Sequence, residues 1–273
     1  MKIATWNVNS IRTRLDRVID WLQASAVDVL CLQETKVVDD DFPRSRFEEL
    51  GYDLAISGQK AYNGVAIASR LPVTDVTKGF APVLGAEVVG ELDRQKRAIA
   101  ATIADLRIVN LYVPNGATLS SDKYEYKLHW LSTLQQYLQV LLDDPKHRLS
   151  DQPDRPSILI CGDFNIAMED RDIHDPEGKE THIMASPTER AALQQAVLDL
   201  GFADAFRKFT SEPGHFSWWD YRAASFRRNR GWRIDHHYLT PAPYERAVAC
   251  TIDIEPRKQE KPSDHTPVIV EID

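Results

Sequence analysis

A chain of 273 residues, 43% of them hydrophobic, can bury one sizeable core as a single domain over residues 1–273. Its net charge of −8 argues against indiscriminate binding of polyanions, yet "YRAASFRRNRGWR" packs five arginines into thirteen residues, so one basic face and a nucleic-acid substrate stay open. The opening "MKIATW" is interrupted by Asn7 and Arg12 before an export signal could form, and no run reaches membrane-spanning length; a soluble, cytoplasmic protein with no membrane partner is expected.

The first apolar run, "KIATWNV", reads as a strand, and a helix follows because Leu15, Val18, Ile19 and Leu22 recur at i, i+3, i+4 and i+7. Short runs rich in β-branched residues come next: "VDVLCLQ", "DLAIS", "GVAIAS", "RAIAATI" and "LRIVNLYV". A second helical stripe joins Leu131, Leu134, Leu138 and Leu141. The one linker-like stretch, "DDPKHRLSDQPDRPS" from 143 to 157, runs from that helix to the strand "SILICGDF" and marks no domain boundary. Residues 168 to 187 are polar and nearly patternless, as in a solvated loop. Ser186-Pro187-Thr188-Glu189 then forms a capping box with Pro at the first helical position, and Gly201 is the expected stop. "RIDHHYL", "AVACTI" and "PVIVEI" complete the strands. Cys31, Cys161 and Cys250 lack metal-ligand spacing and sit in apolar runs, as reduced buried thiols do. Ten or so strands with interspersed helices suit an α/β fold of two mixed sheets packed face to face with helices outside.

Polar residues recur where these strands end: Asn7, Glu34, Tyr112, Asp163 with Asn165, Asp235, and the pair Asp264-His265. One Asp at a strand end is an ordinary turn former or cap. Several sites rich in carboxylate, amide and imidazole groups can instead converge on one pocket, and these groups fit phosphodiester hydrolysis. That reaction needs an activated water, a cation to offset charge on the phosphoryl oxygens, and help for the departing alkoxide. A hard divalent ion, Mg²⁺ or Mn²⁺, takes few oxygen ligands from protein, so Glu34 with Asn7 beside it suffices as an anchor. No histidine cluster with zinc spacing is present. His265 is expected to take the proton of the attacking water, with Asp235 fixing its tautomer. Asp264, pointing the other way on an extended chain, is assigned to the metal side.

The stretches "TWNVNSIR", "CLQETK", "NGVAI", "NLYVPNG", "GDFNIA", "FSWWDYR", "NRGWRID" and "KPSDHTPV" resemble, in order and over nearly the whole chain, the exonuclease III family of abasic-site endonucleases. "GDFN" and "SDH" are shared across the wider endonuclease/exonuclease/phosphatase superfold, whereas "SWWDYR" followed by "NRGWRID" is far more specific to the DNA-repair branch. The resemblance implies a four-layer α/β sandwich and a divalent-metal-dependent, monomeric nuclease that acts on duplex DNA at abasic sites and blocked 3′ ends in base excision repair. It implies Glu34 as principal metal ligand with Asn7 its neighbour, and His265 with Asp235 as the catalytic pair. Asp163 matches the carboxylate that orients the nucleophile or serves the leaving group, Asn165 and Tyr112 match contacts to the phosphate and leaving group, and Asp264 keeps its metal-side role. Trp218, Trp219 and Trp232 fall where the family keeps apolar residues around a flipped-out abasic sugar, with core packing as the alternative. Arg97, Asn115, Lys123 and Lys127 resemble positions that contact the DNA backbone, although "DRQKRAI" departs from the family's usual Glu-Gly-Arg turn at Arg97.

His236 and His237 face opposite ways on a strand and are assigned structural roles; His129, His147, His182 and His215 are assigned to the surface or to packing. His174, in the 168 to 187 loop, would narrow the space for an internal abasic nucleotide if it projected over the site, while leaving room for a terminal 3′ block. An inositol-phosphate or sphingomyelin phosphodiesterase would share Glu34, Asp163, Asn165 and His265, but gives no reason for the arginines from Arg222 to Arg233. A non-catalytic DNA-binding module has no need of metal ligands together with a general base.

Overall fold

The computed structural model describes residues 1–149 and 155–273. Its strands, in chain order, are β1 (Lys2–Asn7), β2 (Val29–Gln33), β3 (Asp53–Ser57), β4 (Val65–Ser69), β5 (Val73–Lys78), β6 (Ala98–Ile103), β7 (Leu106–Tyr112), β8 (Ile158–Asp163), β9 (Ala203–Asp204), β10 (Asp235–Leu239), β11 (Ala247–Ile252) and β12 (Val268–Ile272). They form two six-stranded mixed sheets, ordered β11-β12-β1-β2-β4-β3 and β5-β6-β7-β8-β10-β9. At the centre of each lies one parallel pair joined through a helix: β1 and β2 through Ile11–Ser25, β7 and β8 through Asp122–Asp143. All other pairings are antiparallel.

The central strands are apolar on both faces because both are covered. Ile3, Val29 and Cys31 of the first sheet meet Ile108, Leu159 and Cys161 of the second in the layer between them. Ala4, Trp6, Leu30 and Leu32 face outward onto Val18 and Leu22 of the first helix. Val109, Leu111 and Ile160 do the same against Leu131, Leu134, Leu138 and Leu193. This gives the four-layer order helix, sheet, sheet, helix. Truncating one of these leucines to Ala costs about 2–5 kcal/mol through lost transfer energy and the cavity left behind.

The parallel pairs also decide where chemistry can occur. Asn7 closes β1, Glu34 follows β2, Tyr112 closes β7 and Asp163 closes β8. Antiparallel β10 starts at Asp235 directly opposite Asp163, and antiparallel β12 begins just after His265. All of these residues therefore collect at one edge of the sandwich.

Some local expectations change. The capping box holds: Ser186 Oγ accepts the Glu189 N–H at 3.3 Å, and Glu189 Oε2 accepts the Ser186 N–H at 3.2 Å. The helix it starts ends at Ala196, however, and Gly201 (φ 92°) caps a separate 3-10 turn, Leu198–Leu200. β5 and the short β9 carry no apolar alternation; β5 is an exposed edge strand with a bulge between Thr74 and Thr77. The three cysteines are buried free thiols. Part of the 143 to 157 stretch, residues 150–154, lies outside the described residues; its flanks carry a 3-10 turn at Pro145–His147 and a bridge from Arg148 to Pro156. Among the described residues no helix is long and apolar enough to cross a membrane.

Candidate active site

Two glycines let the strand ends approach this closely. A Cβ on Gly162 (φ 143°), one residue before Asp163, would lie 1.9 Å from the Leu111 carbonyl oxygen of the parallel neighbour. A Cβ on Gly64 (φ 91°) would lie 2.2 Å from Thr35 Oγ1, in the turn that carries Glu34. Neither position tolerates a side chain.

The turn after β2 is fixed from both sides. Ser10 and Ile11 at the start of the first helix donate their N–H groups to the Glu34 and Thr35 carbonyls, at 2.8 and 3.2 Å. Ser10 itself supplies no side-chain cap, so these carbonyls satisfy helix donors that would otherwise be orphaned. On the other side Thr35 and Lys36 donate to the carbonyls of Gly64 and Asn63 at 3.1 and 2.9 Å.

His265 lies buried at the centre. Its Nδ1 faces Asp235 Oδ2 at 2.9 Å, which assigns the Nδ1–H to Asp235 and turns Nε2 toward Asp163 Oδ2, 3.7 Å away. Burial opposes charging of the imidazole, but Asp235 and Asp163 outweigh it and push His265 up to about 10. Asp163 is pushed up to about 7, chiefly by burial; repulsion from Asp235 and Glu34 adds to this, and His265 and an Asn7 hydrogen bond oppose it. Asn7 Nδ2 donates to both Glu34 Oε1 and Asp163 Oδ2 at 2.9 Å and so ties the two sheets together. Asn165 donates its backbone N–H to Asp163 Oδ1 at 2.9 Å and its side-chain amide to Asp163 Oδ2 at 3.2 Å, and accepts from the exposed Asn115 at 3.0 Å. Burial, with the charges of Glu34 and Asp163, holds the Tyr112 phenol well above its usual range, so it stays a proton donor.

On the opposite side Glu34 pairs with Lys36 (Oε2 to Nζ 2.8 Å), and Lys36 also donates to Asn9 Oδ1 at 2.6 Å. Asn9 Nδ2 reaches Asp264 Oδ1 at 3.0 Å, and Trp218 Nε1 donates to Asp264 Oδ2 at 3.1 Å. Burial works against the charge on Glu34 and on Asp264, yet Lys36 lowers the first and His265 the second. Lys36 Nζ lies between Glu34 Oε2 and Asn9 Oδ1, and the carboxylate oxygens of Glu34 and Asp264 suit a hard divalent ion. Asn7 turns its Nδ2 to Glu34 while its Oδ1 accepts the Asn9 N–H at 2.9 Å, so it would join such an ion only through that Oδ1. Asp163, Asp235 and His265 also have donor atoms within 4.8 Å of one another. With Nδ1 engaged by Asp235 and the ring charged, that group is the poorer cation site, and the Glu34 side is preferred.

Isolated bridges link Ile173 to Trp232, Trp232 to Trp218 and Trp218 to His265, a small ladder that carries the aromatic wall to the catalytic edge. The Trp218 and Trp232 rings meet edge to face at 6.4 Å and remain partly open to solvent. Arg97 stacks over the Tyr112 ring at 4.6 Å and, with Asn115 and Lys123, lines a groove of about 550 Å³ beside Tyr112. His174 lies on the other flank, where with Asp175, Lys179, Arg230 and Trp232 it lines a hollow of about 330 Å³.

Two residues expected at the DNA surface are not there. Lys127 is fully buried: its Nζ pairs with Glu189 at 2.5 Å and donates to the Asn165 carbonyl at 2.8 Å, so it braces the catalytic turn from behind. Trp219, 1% exposed, packs edge to face on Phe226 and donates to Asn229, away from the mouth. Side-chain alternation after Trp218 sends one tryptophan out and the next in. Arg233, one of the five clustered arginines, is likewise buried, between Asp172 and Asp204. Asn9 and Lys36 join the site without having been singled out, although both stand in the quoted stretches "TWNVNSIR" and "CLQETK".

This constellation at the edge of a two-sheet sandwich defines a phosphodiester-cleaving class. The chain belongs to the Endonuclease/Exonuclease/phosphatase family, which matches residues 4–265. It is 34% identical over 283 residues to exodeoxyribonuclease III of Haemophilus influenzae, covering 99% of both chains. Among solved structures it is similar to an AP endonuclease from Archaeoglobus fulgidus (40% identity, TM-score 0.90, 100% of this chain and 99% of that one). It is also similar to a 3′ phosphatase from Neisseria bound to product DNA hairpin (39% identity, TM-score 0.89, 100% and 99%). Within its family the chain is a DNA-repair nuclease of the exodeoxyribonuclease III type.

Proposed function

We propose that this nuclease hydrolyses phosphodiesters at abasic sites and blocked 3′ ends of duplex DNA, acting as a cytoplasmic monomer with Mg²⁺ or Mn²⁺ held by Glu34, Asn7 and Asp264. The observation that carries this reading is the opposition of two groups across Asn7: a charged His265 clamped by Asp235 next to Asp163, and an oxygen-lined cation site at Glu34. When bound, the metal ion offsets negative charge developing on the phosphoryl oxygens.

The remaining steps belong to the chain's own side chains. Held positive by Asp235 and Asp163, His265 is poised to donate its Nε2–H to a phosphoryl oxygen. Asp163, titrating near 7, is then the group suited to accept the proton of the attacking water as its oxygen bonds to phosphorus. This exchanges the roles expected from the sequence, where His265 was to be the base. As the phosphorus–oxygen bond to the leaving group breaks, the Tyr112 phenol can supply a hydrogen bond to the departing oxygen. The exposed Asn115 provides an amide for the phosphate, and Asn165, whose own amide is held by Val113 and Asp163, positions Asn115 through Oδ1.

Outside the catalytic edge, Trp218 and Trp232 offer an apolar wall for an extruded, baseless sugar. Arg97, Lys123 and the exposed Arg227, Arg228 and Arg230 supply positive charge on either side for the DNA backbone. These exposed arginines favour DNA over an inositol phosphate or sphingomyelin substrate. The test is an abasic duplex incubated with protein and Mg²⁺, then with excess EDTA. Metal-dependent incision that stops on chelation supports the proposal; a shifted but intact duplex would make the protein a binder, and no interaction with DNA would favour the lipid or inositol reading.

A further inference from the structure

Glu34 (φ 50°), Lys36 (φ 56°) and Asn9 (φ 45°) all have left-handed backbone, a conformation that non-glycine residues seldom adopt and that persists where the surroundings impose it. Here the imposing contacts are the four backbone hydrogen bonds that fix the Glu34-Thr35-Lys36 turn against the first helix and against Asn63 and Gly64. The outcome is an ammonium group delivered into the oxygen cluster, 2.8 Å from Glu34 Oε2 and 2.6 Å from Asn9 Oδ1. Through Asn9 it is linked to Asp264, and Asn7 completes the cluster from the far side of Glu34. The Lys36 side chain is 28% exposed, so solvent is open to it.

We propose that Lys36 is the resident cation of the metal site. In the free protein its ammonium neutralises Glu34 and keeps Glu34 and Asn9 in register; a divalent ion must displace it to bind. Two positive charges cannot share these oxygens without mutual repulsion, so Lys36 lowers divalent affinity in the absence of DNA. Once displaced, the partly exposed ammonium loses its Glu34 partner and is free to pair with an incoming phosphate, which would couple metal binding to substrate binding. Lys36 is thus a positioning residue that acts through Glu34 and the ion. The inference rests on the reading of Glu34 as metal anchor.

The test measures Mn²⁺ binding to the whole, DNA-free protein by the EPR signal of unbound Mn²⁺, alongside thermal melts in chelator and in saturating Mn²⁺. Lys36→Met should bind Mn²⁺ about tenfold more tightly than the parent, in the range usual for coupling between two sites. In chelator it should melt lower than the parent, because Glu34 is left uncompensated, and it should gain more on addition of Mn²⁺. Lys36→Arg, which keeps the charge, should stay near the parent in affinity. A merely structural lysine would give the opposite sign, a variant that binds Mn²⁺ more weakly. Lys36→Gln provides the same reading if Lys36→Met does not fold. Glu34→Gln separates the two ideas: Mn²⁺ binding unchanged in that variant would overturn the metal anchor itself. Binding lost in Glu34→Gln but unchanged or weakened in Lys36→Met and Lys36→Gln would overturn the role of Lys36 alone.

Discussion

Two buried clusters of charge lie at opposite ends of the short segment from Trp232 to Asp235, and they are built from nearly the same residue types. In the first, Arg233 donates through Nε to Asp172 Oδ1 at 2.7 Å and through its terminal nitrogen to Asp204 Oδ2 at 2.7 Å, and Arg207 adds a second guanidinium to Asp172. Burial works against the charge on Asp172, but Arg233 outweighs it and holds the carboxyl down at about 2. His236 completes this cluster as a neutral ring, lowered by burial and by Arg233, with Nδ1 toward Arg233 and Nε2 toward the Ile166 carbonyl. In the second, among the described residues, Asp163, Asp235 and Glu34 are balanced chiefly by His265 and the partly exposed Lys36, and Asp163 is driven up to about 7 by burial. Equal burial thus gives opposite protonation behaviour. A fixed guanidinium makes a brace, whereas under-compensated carboxylates make a site that can exchange protons.

The sharpest way to break this contrast is to neutralise one acid in each cluster. Asp163→Asn should lower kcat by about a thousandfold, within the range for loss of a proton-transfer group, while the metal-free protein becomes no less stable at pH 7. A loss of stability together with activity would place Asp163 with the braces. His265→Asn should lower kcat by about a hundredfold with duplex binding retained; activity kept in the presence of metal would remove His265 from the chemistry. Asp172→Ala should do the reverse and destabilise the fold by about 3–5 kcal/mol in chemical denaturation, because it leaves a buried guanidinium short of a partner. A cost under about 1 kcal/mol would mean that Asp204 alone satisfies Arg233.

Stability against pH gives a subtler reading of the same difference. Asp163 is raised in the folded state, so between about 4 and 7 the folded protein binds more protons than the unfolded chain and stability falls as pH rises. His265 is raised to about 10, so its contribution is complete below about 6.5 and is lost as pH climbs through 10. Asp172, lowered to about 2, contributes above about 4 and loses that contribution only as pH falls through 2. His147, lowered to about 4 by burial, and His236, lowered by burial and Arg233, oppose this slope, so the reading is a difference: in thermal melts in chelator the stability of the parent relative to Asp163→Asn should fall from pH 4 to 7. An identical slope in parent and variant would refute the raised Asp163.

The contrast also explains which residues were legible in the sequence. Strands apolar on both faces and helices with a 3.6-residue stripe are local patterns, and Asn7, Glu34, Tyr112, Asp163, Asp235 and His265 stand out because each interrupts or follows such a run. Edge strand β5 carries no pattern, since only Val73 packs on the core and most of the strand is exposed. Lys127 and Arg233 look like surface groups in the sequence and Trp219 is open between a sugar-facing wall and the core; their placement depends on partners 62, 61 and 10 residues away, Glu189, Asp172 and Asn229. No local signal encodes those pairings. The place of Lys36 in the cation site depends likewise on a turn pinned by two distant segments.

The smallest expected effect falls at His174, two residues after Asp172 of the braced cluster and beside Trp232. The 168 to 187 segment is not a free loop: Asp172 anchors it in the braced cluster, Ile173 is buried and bridged to Trp232, and the His174 N–H donates to the Gly231 carbonyl at 3.0 Å. The imidazole itself is exposed and shares its hollow with Trp232. On the proposed reading, an abasic nucleotide within a strand would place sugar and continuing backbone along this wall, whereas a 3′-terminal phosphate has no downstream strand to accommodate. His174→Gly should therefore raise kcat/KM for abasic-site incision relative to 3′-phosphate removal by about tenfold or less, the scale of a steric change in a pocket that leaves the reacting groups in place. Both constants are to be measured at one metal and salt concentration, because DNA affinity varies steeply with salt. Equal changes in the two constants would assign the imidazole to general DNA contact. An unchanged ratio with unchanged constants would leave lesion preference to Trp218 and Trp232, which reach the catalytic edge through the same ladder.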